Sequence, residues 1–380
     1  MLISNIELIP IVTRRHEHHP SAHVIVRIET DAGITGYGEM PDLSHAPAIM
    51  PDVGDLELCL NDLLRGRRPQ NVTEINKVLN AVFPGTRFGG KSSLVRCGVD
   101  IAVWDILGKA TNQPVCDLIG GHSRQGVPIC YPIFRMKRMD DIDSNLEVVA
   151  GRLAQGFDCF RLYVGADPDV DEAFMDRFQR RFGDRARIVA IDASGLLSVK
   201  EAIGLWKRLH PYGFDLYESP VNRYDVEGLA EVRRSVSSPI SEHIHSEEYA
   251  FRLIKEERAV DIFNVSVSVA GGITAARRLL DLADMAGLAC LIGTTQETSI
   301  ATAAQAHVGA SCPRLDYHSD PVGPLLYIDD VAKERVRFVD GQMLVPEGAG
   351  LGIEVDEAVL EELRKPLSSR GDIDAGFLRG

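Results

Sequence analysis

Hydrophobic and polar residues alternate along the first forty residues of the chain, a period that is typical of strands with one buried face. The segments with this alternation are 2–12, 22–30 and 34–40. Farther on, hydrophobic residues recur every three or four positions, a spacing that predicts helices. This spacing covers residues 55–65, 72–82 and 94–111. Residues 1–126 therefore predict an α+β domain with a small sheet.

From about residue 127, strand-like runs alternate with helical patterns such as 199–209 and 274–287. The strand candidates are 127–134, 159–164, 188–193, 214–219, 239–244, 261–267, 289–294 and a weaker run near 315–320. Seven or eight strands, each followed by a helix, indicate a closed parallel barrel over residues 127–330. An open, doubly wound sheet predicts the same alternation and is the alternative fold.

The pattern changes again after about residue 330. A strand-like segment at 335–345 is followed by a terminal helical pattern. We expect residues 331–380 to form a C-terminal segment that packs back on the first domain.

Composition and charge narrow the class of function. The net charge of −14 argues against a nucleic-acid partner, because phosphate binding needs a basic surface. No apolar run reaches the roughly 18 residues that cross a bilayer, and the first ten residues lack the basic stretch of a signal peptide. The seven cysteines include no C-x-x-C pair and are typical of reduced thiols. We therefore expect a cytoplasmic enzyme or binding protein that acts on a small molecule.

Polar side chains stand at the carboxyl ends of four successive predicted strands: Arg161 and Tyr163 on the second, Asp192 on the third, Glu218 on the fourth and His243 on the fifth. The carboxyl ends of barrel strands form the active-site face. Acidic and imidazole groups from three neighbouring strands can hold one divalent cation. Each carboxylate alone could instead cap the following helix. Their common position in successive units favours the metal site.

Longer motifs carry a family resemblance. They are GITGYGEM (33–40), CGVDIAVWDILGKATNQPVCDLIGG (97–121), GFDCFRLYVG (156–165), AIDASG (190–195), LYESPV (216–221) and the double glycine at 271–272. With them, the chain resembles the mandelate racemase/muconate-lactonizing branch of the enolase superfamily over nearly its whole length. The resemblance implies an α/β fold, in which a modified (β/α)7β barrel of the TIM type carries an α+β capping domain formed from both chain ends.

The resemblance also implies a cofactor and a mode of substrate binding. Magnesium would be held by Asp192, Glu218 and a fifth-strand residue, and the substrate carboxylate would bind this metal. Imidazole is an unusual ligand for magnesium, which prefers oxygen, so His243 raises manganese as the other possible ion. Glu242 and His245 are the alternative ligands on that strand. The expected assembly is a homo-oligomer.

Three strand ends depart from the family pattern. Arg161 and Tyr163 stand where Lys-x-Lys is usual, His243 where a carboxylate is usual, and Ser266 where a lysine or aspartate is frequent. Residues 293–299 also lack the histidine that some members use as a base. A racemase needs a base on each face of its planar intermediate, whereas β-elimination of water needs one base and one acid. The departures therefore favour elimination.

We assign the base to Tyr163, because Arg161 and the metal would lower the pKa of its phenol from about 10. The acid is His45, on the capping loop 42–52, because histidine titrates near neutral pH. An Arg-x-Tyr strand end with a capping-loop histidine is similar to one galactarate-dehydratase family. The predicted activity is dehydration of an acid sugar, an aldarate or aldonate.

Other polar residues are candidates for substrate binding. Arg14, His16 and His18 lie in the basic loop 14–21, which can bring positive charge to the distal carboxylate of a diacid. Glu297 can orient substrate hydroxyls at the end of the seventh strand or cap the following helix. Two other functions stay open at this point: a cycloisomerase or epimerase of the same superfamily, and a barrel that binds a ligand without catalysis.

Overall fold

The computed structural model describes residues 1–16, 20–41, 52–85, 88, 90–256 and 258–365. The first part is an antiparallel sheet in the order β1-β2-β3, covered by helices on one face. Its elements are β1 (Ile3–Thr13), β2 (Ser21–Thr30), β3 (Thr35–Met40), α1 (Val53–Leu64), α2 (Val72–Val82), α3 (Lys91–Thr111) and α4 (Val115–Leu118). Burial alternates along most of β1, with breaks near Asn5, where the register with β2 shifts, and at Leu8 and Ile9, which are both buried.

Two glycines of the GITGYGEM motif allow α3 to pack directly on β3. A Cβ atom at Gly38 would overlap the carbonyl oxygen of Gly98, and one at Gly36 would overlap that of Ala102. Only glycine permits such an approach between two backbones. The motif is therefore a packing feature that joins the sheet to its longest helix.

The second part alternates strands and helices, as predicted. Its elements are β4 (Gly126–Pro128), β5 (Tyr131–Ile133), α5 (Asp141–Leu153), β6 (Cys159–Tyr163), α6 (Pro168–Phe182), β7 (Arg187–Asp192), α7 (Val199–Leu209), β8 (Leu216–Glu218), α8 (Val226–Ser235), β9 (Ile240–His243), α9 (Glu247–Phe251), β10 (Ile262–Val265), α10 (Val267–Ala270), α11 (Ile273–Ala286), β11 (Ala289–Ile292), α12 (Ser299–Ser311) and α13 (Gly323–Leu326). Short 3-10 turns at Gly183–Arg185 and His210–Tyr212 and a π turn at Arg252–Glu256 complete the list.

Seven of these strands form one parallel sheet in the order β5-β6-β7-β8-β9-β10-β11. Single bridges pair Ile129 with Ser319 and Cys290 with Leu315, so the segment near 315–320 lies between the two edges of the sheet. This is the α/β barrel with a separate capping sheet that the sequence predicts. The predicted eighth strand is wrong as a regular strand, because its pairing is limited to these isolated bridges within the described chain.

One predicted strand, 127–134, is also wrong as a single element. The structure divides it into β4 and β5, and only β5 joins the barrel sheet. The other half pairs with a C-terminal hairpin of β12 (Phe338–Val339) and β13 (Gln342–Leu344). Pro128 and Pro132 lack the N–H groups that a continuous strand would use in pairing.

The last helix, α14 (Glu357–Leu363), lies against the capping sheet. Ile11 of β1 bridges to Arg364, and the Arg364 guanidinium binds the Glu7 carboxylate at 2.8 Å. The division of the chain into residues 1–126, 127–330 and 331–380 stays a prediction. Within the described residues, no helix combines the length and the apolar character needed to span a bilayer.

Candidate active site

Arg161 stands at the centre of the polar cluster inside the barrel. Its Nη2 atom contacts Asp192 Oδ2 at 2.6 Å and also contacts Glu218 Oε1, while Nη1 lies 2.9 Å from Asp320 Oδ2. All four side chains are buried. The parallel register explains the convergence, because Tyr163 pairs with Asp192 and Asp192 pairs with Glu218 at adjoining strand ends.

Glu218 links this group to the fifth and sixth strands. His243 Nε2 lies 3.1 Å from Glu218 Oε1, and Asn264 Nδ2 donates to the same oxygen at 2.9 Å. Ser241 Oγ donates to Glu218 Oε2 at 3.2 Å. Glu218 therefore contacts side chains from three other strands, β6, β9 and β10, which makes it the hub of the cluster.

The two alternative fifth-strand ligands point elsewhere. Glu242 Oε1 accepts hydrogen bonds from Ser219 Oγ at 3.0 Å and from the His243 amide at 2.8 Å. The His245 ring stacks on Tyr249 with 4.4 Å between centroids. Of the three candidates, His243 is the residue that contacts Glu218.

Electrostatic effects in the cluster are large because the groups are buried together. Burial alone would raise the pKa of Glu218, but Arg161 and His243 outweigh it and hold that pKa well below its usual range. Burial raises the pKa of Asp320, with Glu218 and Asp192 adding to the effect against Arg161. Around Arg161, three carboxylates therefore share one guanidinium, and the pocket favours additional positive charge.

Tyr163 is half-buried at the end of β6, between two guanidinium groups. Its ring stacks on Phe134, and the Cζ atoms of Arg161 and Arg135 lie 5.4 and 5.8 Å from the ring centroid. Burial raises the pKa of the Tyr163 phenol; Arg161 opposes this, and Asp192 adds to it. Among the protein groups, burial outweighs Arg161, so the net shift of the Tyr163 pKa is upward. The lowering expected from Arg161 together with the metal stays a prediction.

The donor set fits a divalent cation in chemistry. Asp192 and Glu218 both reach one nitrogen of Arg161, so a single positive centre can contact both carboxylates. His243 adds a nitrogen ligand beside Glu218. The ligand atoms of Asp192, Glu218 and His243 are, however, not all within 4.8 Å of one another. Among the described residues, three ligand atoms all within 4.8 Å of one another occur only in the more exposed group of Cys116, Asp117 and His122.

Glu297 lies in the loop between β11 and α12, five residues after the seventh barrel strand ends, and is buried. Its carboxylate accepts hydrogen bonds from Thr294 Oγ1 at 2.6 Å, the Thr295 amide at 2.8 Å and Ser268 Oγ at 3.0 Å. Its side chain does not cap α12, because the first amides of that helix donate to other carboxylates. The Ser299 amide donates to Asp330 Oδ2 at 3.1 Å, and the Ala301 amide donates to Glu39 Oε2 at 3.0 Å.

Neighbouring residues of the basic loop 14–21 have different surroundings in the structure. Arg14 is exposed and pairs with Asp329 at 2.7 Å, so it does not join the cluster around Arg161. The next residue, Arg15, reaches Gln296 Oε1 at 2.5 Å on the seventh-strand loop. His16 is exposed, and its amide donates to Leu326 O at 3.1 Å. The predicted positions His18 and His45 lie outside the described residues.

Sequence reasoning missed two members of the cluster. Asp320 ends the weak eighth strand run, and its position at a strand end is the signal that could have found it. Asn264 lies on β10, two residues before Ser266, which directly follows that strand. Asp320 was missed because its segment has too little strand character to mark an end.

Comparison with known proteins agrees with this architecture. The family model for the N-terminal domain of mandelate racemase/muconate lactonizing enzymes matches residues 2–120, and the enolase C-terminal domain-like model matches residues 146–359. N-succinyl-L-Arg/Lys racemase of Bacillus cereus is 28% identical over 358 residues, 93% of each chain. D-galactarolactone cycloisomerase of Agrobacterium fabrum is also 28% identical over 358 residues, covering 91% of this chain and 92% of that one.

Solved structures show the same likeness. Muconate cycloisomerase from Pseudomonas fluorescens superposes with a TM-score of 0.85 at 26% identity, over 96% of this chain and 99% of that one. The structure of the Bacillus cereus racemase gives a TM-score of 0.86, also at 26% identity. Because the two family models together span most of the chain, the protein belongs to the mandelate racemase/muconate lactonizing enzyme branch of the enolase superfamily.

Proposed function

We propose that the protein is a metal-dependent lyase that removes the proton α to a carboxylate and eliminates water from an acid sugar, an aldarate or aldonate such as galactarate. One observation favours elimination over racemisation. The second strand offers a single proton-transfer side chain, Tyr163, while the sixth strand ends in the hydroxyl of Ser266, where a second base would be needed for racemisation.

Asp192, Glu218 and His243 are the proposed ligands of the cation, magnesium or manganese. Such a cation would supply a Lewis acid for the negative charge that develops on the substrate carboxylate, an effect of several kcal/mol. Arg161 holds Asp192 and Glu218 in position by its contacts with both. Enzymes of this branch generally use a divalent metal, which supports the assignment.

Tyr163 takes the α-proton at its phenolic oxygen. Burial disfavours the phenolate and the nearby carboxylates add to this effect, whereas Arg161 favours the phenolate and a bound cation would do the same. His45 is the proposed acid for the departing hydroxide, and Glu297, His16 and His18 are proposed to help bind or orient the substrate. The working assembly is proposed to be a homo-oligomer that acts on a small molecule.

A cycloisomerase of the same superfamily is the second candidate. Several relatives are named as cycloisomerases, and one of them is named for D-galactarolactone. The two reactions differ in their products. Elimination yields a keto acid that reacts with semicarbazide, whereas cycloisomerisation does not release water.

The test is a panel of aldarates and aldonates incubated with the protein and Mg²⁺ or Mn²⁺, with semicarbazide detection of keto acids. Tyr163→Phe is expected to lower turnover by at least about 100-fold, because it removes the base. Tyr212→Phe removes the same hydroxyl from the turn after α7 and is the matched control. Full turnover by Tyr163→Phe would contradict the assignment of the base.

A further inference from the structure

A cysteine, an aspartate and a histidine meet on the segment that joins α3 to β4, away from the cluster around Arg161. Cys116 and Asp117 belong to α4, and His122 lies four residues after the end of that helix. Asp117 Oδ1 lies 3.8 Å from Cys116 Sγ and 3.2 Å from His122 Nδ1. The three ligand atoms all lie within 4.8 Å of one another. A thiol, a carboxylate and an imidazole are thus within reach of one ion.

The spacing of these atoms agrees with tetrahedral coordination of zinc. Zinc binds cysteine sulfur at about 2.3 Å and histidine nitrogen or carboxylate oxygen at about 2.0–2.2 Å. At tetrahedral angles, such bonds place sulfur about 3.5 Å from oxygen and nitrogen about 3.3 Å from oxygen. The observed distances of 3.8 and 3.2 Å are close to these values, so small side-chain rotations suffice to admit an ion.

Backbone hydrogen bonds hold the segment in place on both sides of the group. The Cys116 amide donates to His307 Nδ1 at 3.3 Å, and the Ser123 amide donates to Ala310 O at 2.9 Å. His307 and Ala310 both belong to α12, so one helix anchors both ends of the segment. Between them, the Gly121 amide donates to Cys116 O at 2.9 Å, and Gly121 has a φ of +87°, which favours glycine. The three side chains are therefore brought together by the fold itself, and an ion would need little further ordering.

The group is open to solvent on one side. The side chains of Asp117 and His122 are 40% and 49% exposed, whereas Cys116 is buried. An ion can therefore approach between the two exposed groups and reach the sulfur. Water can occupy the remaining position of a tetrahedral ion.

The kinds of donor select the metal. Thiolate sulfur and imidazole nitrogen favour zinc and related transition metals, whereas Mg²⁺ prefers oxygen and Mn²⁺ is bound most weakly of the divalent transition metals. The proposed catalytic ligands Asp192, Glu218 and His243 include no thiol. The two groups should therefore differ in the ion that they bind.

We propose that Cys116, Asp117 and His122 form a second metal site, which binds Zn²⁺ or a chemically similar ion and is separate from the catalytic centre. Binding displaces the thiol proton of Cys116 to water, and the thiolate sulfur becomes a ligand. The ion fastens the turn after α4 to that helix, on the segment between α3 and β4. It takes part in no step of the proposed reaction.

Cobalt tests the site directly, because a bond between Co²⁺ and a thiolate gives a charge-transfer absorption in the near ultraviolet. The full chain is first stripped of metal by a chelator and dialysed into a phosphine reductant with excess Mg²⁺, and Co²⁺ is then added. We expect the absorption to saturate at one Co²⁺ per chain and to disappear when Zn²⁺ is added. Asp192→Asn alters the proposed catalytic site and should keep the absorption.

Variants assign the ligands. Cys116→Ala should lose the absorption, whereas His122→Gln and Asp117→Asn should each weaken Co²⁺ binding by at least about tenfold. Cys59→Ala removes a half-buried thiol from α1 and is the matched control, which should bind Co²⁺ like the wild type. Thermal unfolding in chelator checks the fold of each variant. Without metal, the exposed pair of His122 and Asp117 contributes little, so His122→Gln should unfold like the wild type.

The second metal site would be overturned if the wild type gave no thiolate absorption with Co²⁺, if Cys116→Ala kept it, or if Cys59→Ala lost it. Loss of the absorption in a folded Asp192→Asn protein would also overturn it, because the two sites would then not be separate. Wild-type affinity in both His122→Gln and Asp117→Asn would do the same, since the thiol would then bind cobalt without its two neighbours.

Discussion

Glu39 of the capping sheet accepts hydrogen bonds from both the amide and the hydroxyl of Thr298, each at 2.8 Å. The Ala301 amide donates to the same carboxylate at 3.0 Å, and His23 Nδ1 lies 2.9 Å from it. A side chain of β3 thus serves as the N-terminal cap of barrel helix α12. The capping sheet and the seventh barrel unit are joined through one buried carboxylate.

Glu39→Gln is expected to lower the free energy of unfolding by about 2 kcal/mol, because the amide group would face donors that need an acceptor. Urea unfolding followed by circular dichroism measures the change. Glu354→Gln is the control, since that side chain is exposed and pairs with Lys333 on the surface. Equal stability of Glu39→Gln and the wild type would contradict a joining role.

Arg161→Met is expected to destabilise the protein by about 3–5 kcal/mol, because it leaves buried carboxylates without their cation. Added Mg²⁺ or Mn²⁺ should restore stability to this variant more than to the wild type, by mass action. Thermal unfolding at a series of metal concentrations tests both parts. Arg187→Met breaks an exposed pair with Asp215 and should change little. If Arg161→Met were as stable as the wild type and its melting temperature did not rise with added metal, the proposed metal site at Asp192, Glu218 and His243 would be wrong.

Metal binding should depend on His243 and not on Glu242. His243→Ala removes the group beside Glu218, and we expect the affinity for Mn²⁺ to fall roughly 100-fold or more, as for the loss of a metal-site group. Glu242→Gln should bind with nearly wild-type affinity, since its carboxylate is used by Ser219 and the backbone. Isothermal titration of both variants decides between them, and the reverse order of affinities would identify Glu242 as the ligand.

The imidazole of His307 makes stability depend on pH. Its Nδ1 accepts from the Cys116 amide at 3.3 Å, so Nε2 carries the proton and donates to Leu351 O at 3.1 Å. Burial lowers the pKa of His307 from 6.5 to about 4. The unfolded chain therefore binds a proton at a pH where the folded protein does not, and stability is lost as the pH falls from 6.5 toward 4.

Between pH 7 and pH 5, this histidine should account for a loss of about 2 kcal/mol in the free energy of unfolding. His307→Gln should show a smaller drop over that interval than the wild type, measured by urea unfolding at both values. His122→Gln changes an exposed histidine in the same region and is the control. An unchanged pH dependence in His307→Gln would rule out this origin.

Much of the fold and part of the site were predictable from local patterns. Period-two and helical spacing identified β1 to β3 and most barrel units, because burial of one face leaves a regular trace in the sequence. Strand ends at Asp192, Glu218 and His243 were identified for the same reason. Pro128 and Pro132 are the signal in the sequence that residues 127–134 do not form one strand. The hydrophobic residues around them nevertheless predicted a single strand.

The sequence by itself determined the alternation of strands and helices and the residue types at the strand ends, since these depend on neighbours a few positions apart. Tertiary structure alone decided that Arg161 stands between Asp192, Glu218 and Asp320, and that Arg15 rather than Arg14 turns toward the barrel. It also decided the raised pKa of Tyr163. These features depend on burial and on charges brought together from distant segments, and Coulomb and desolvation energies follow distance in space rather than along the chain.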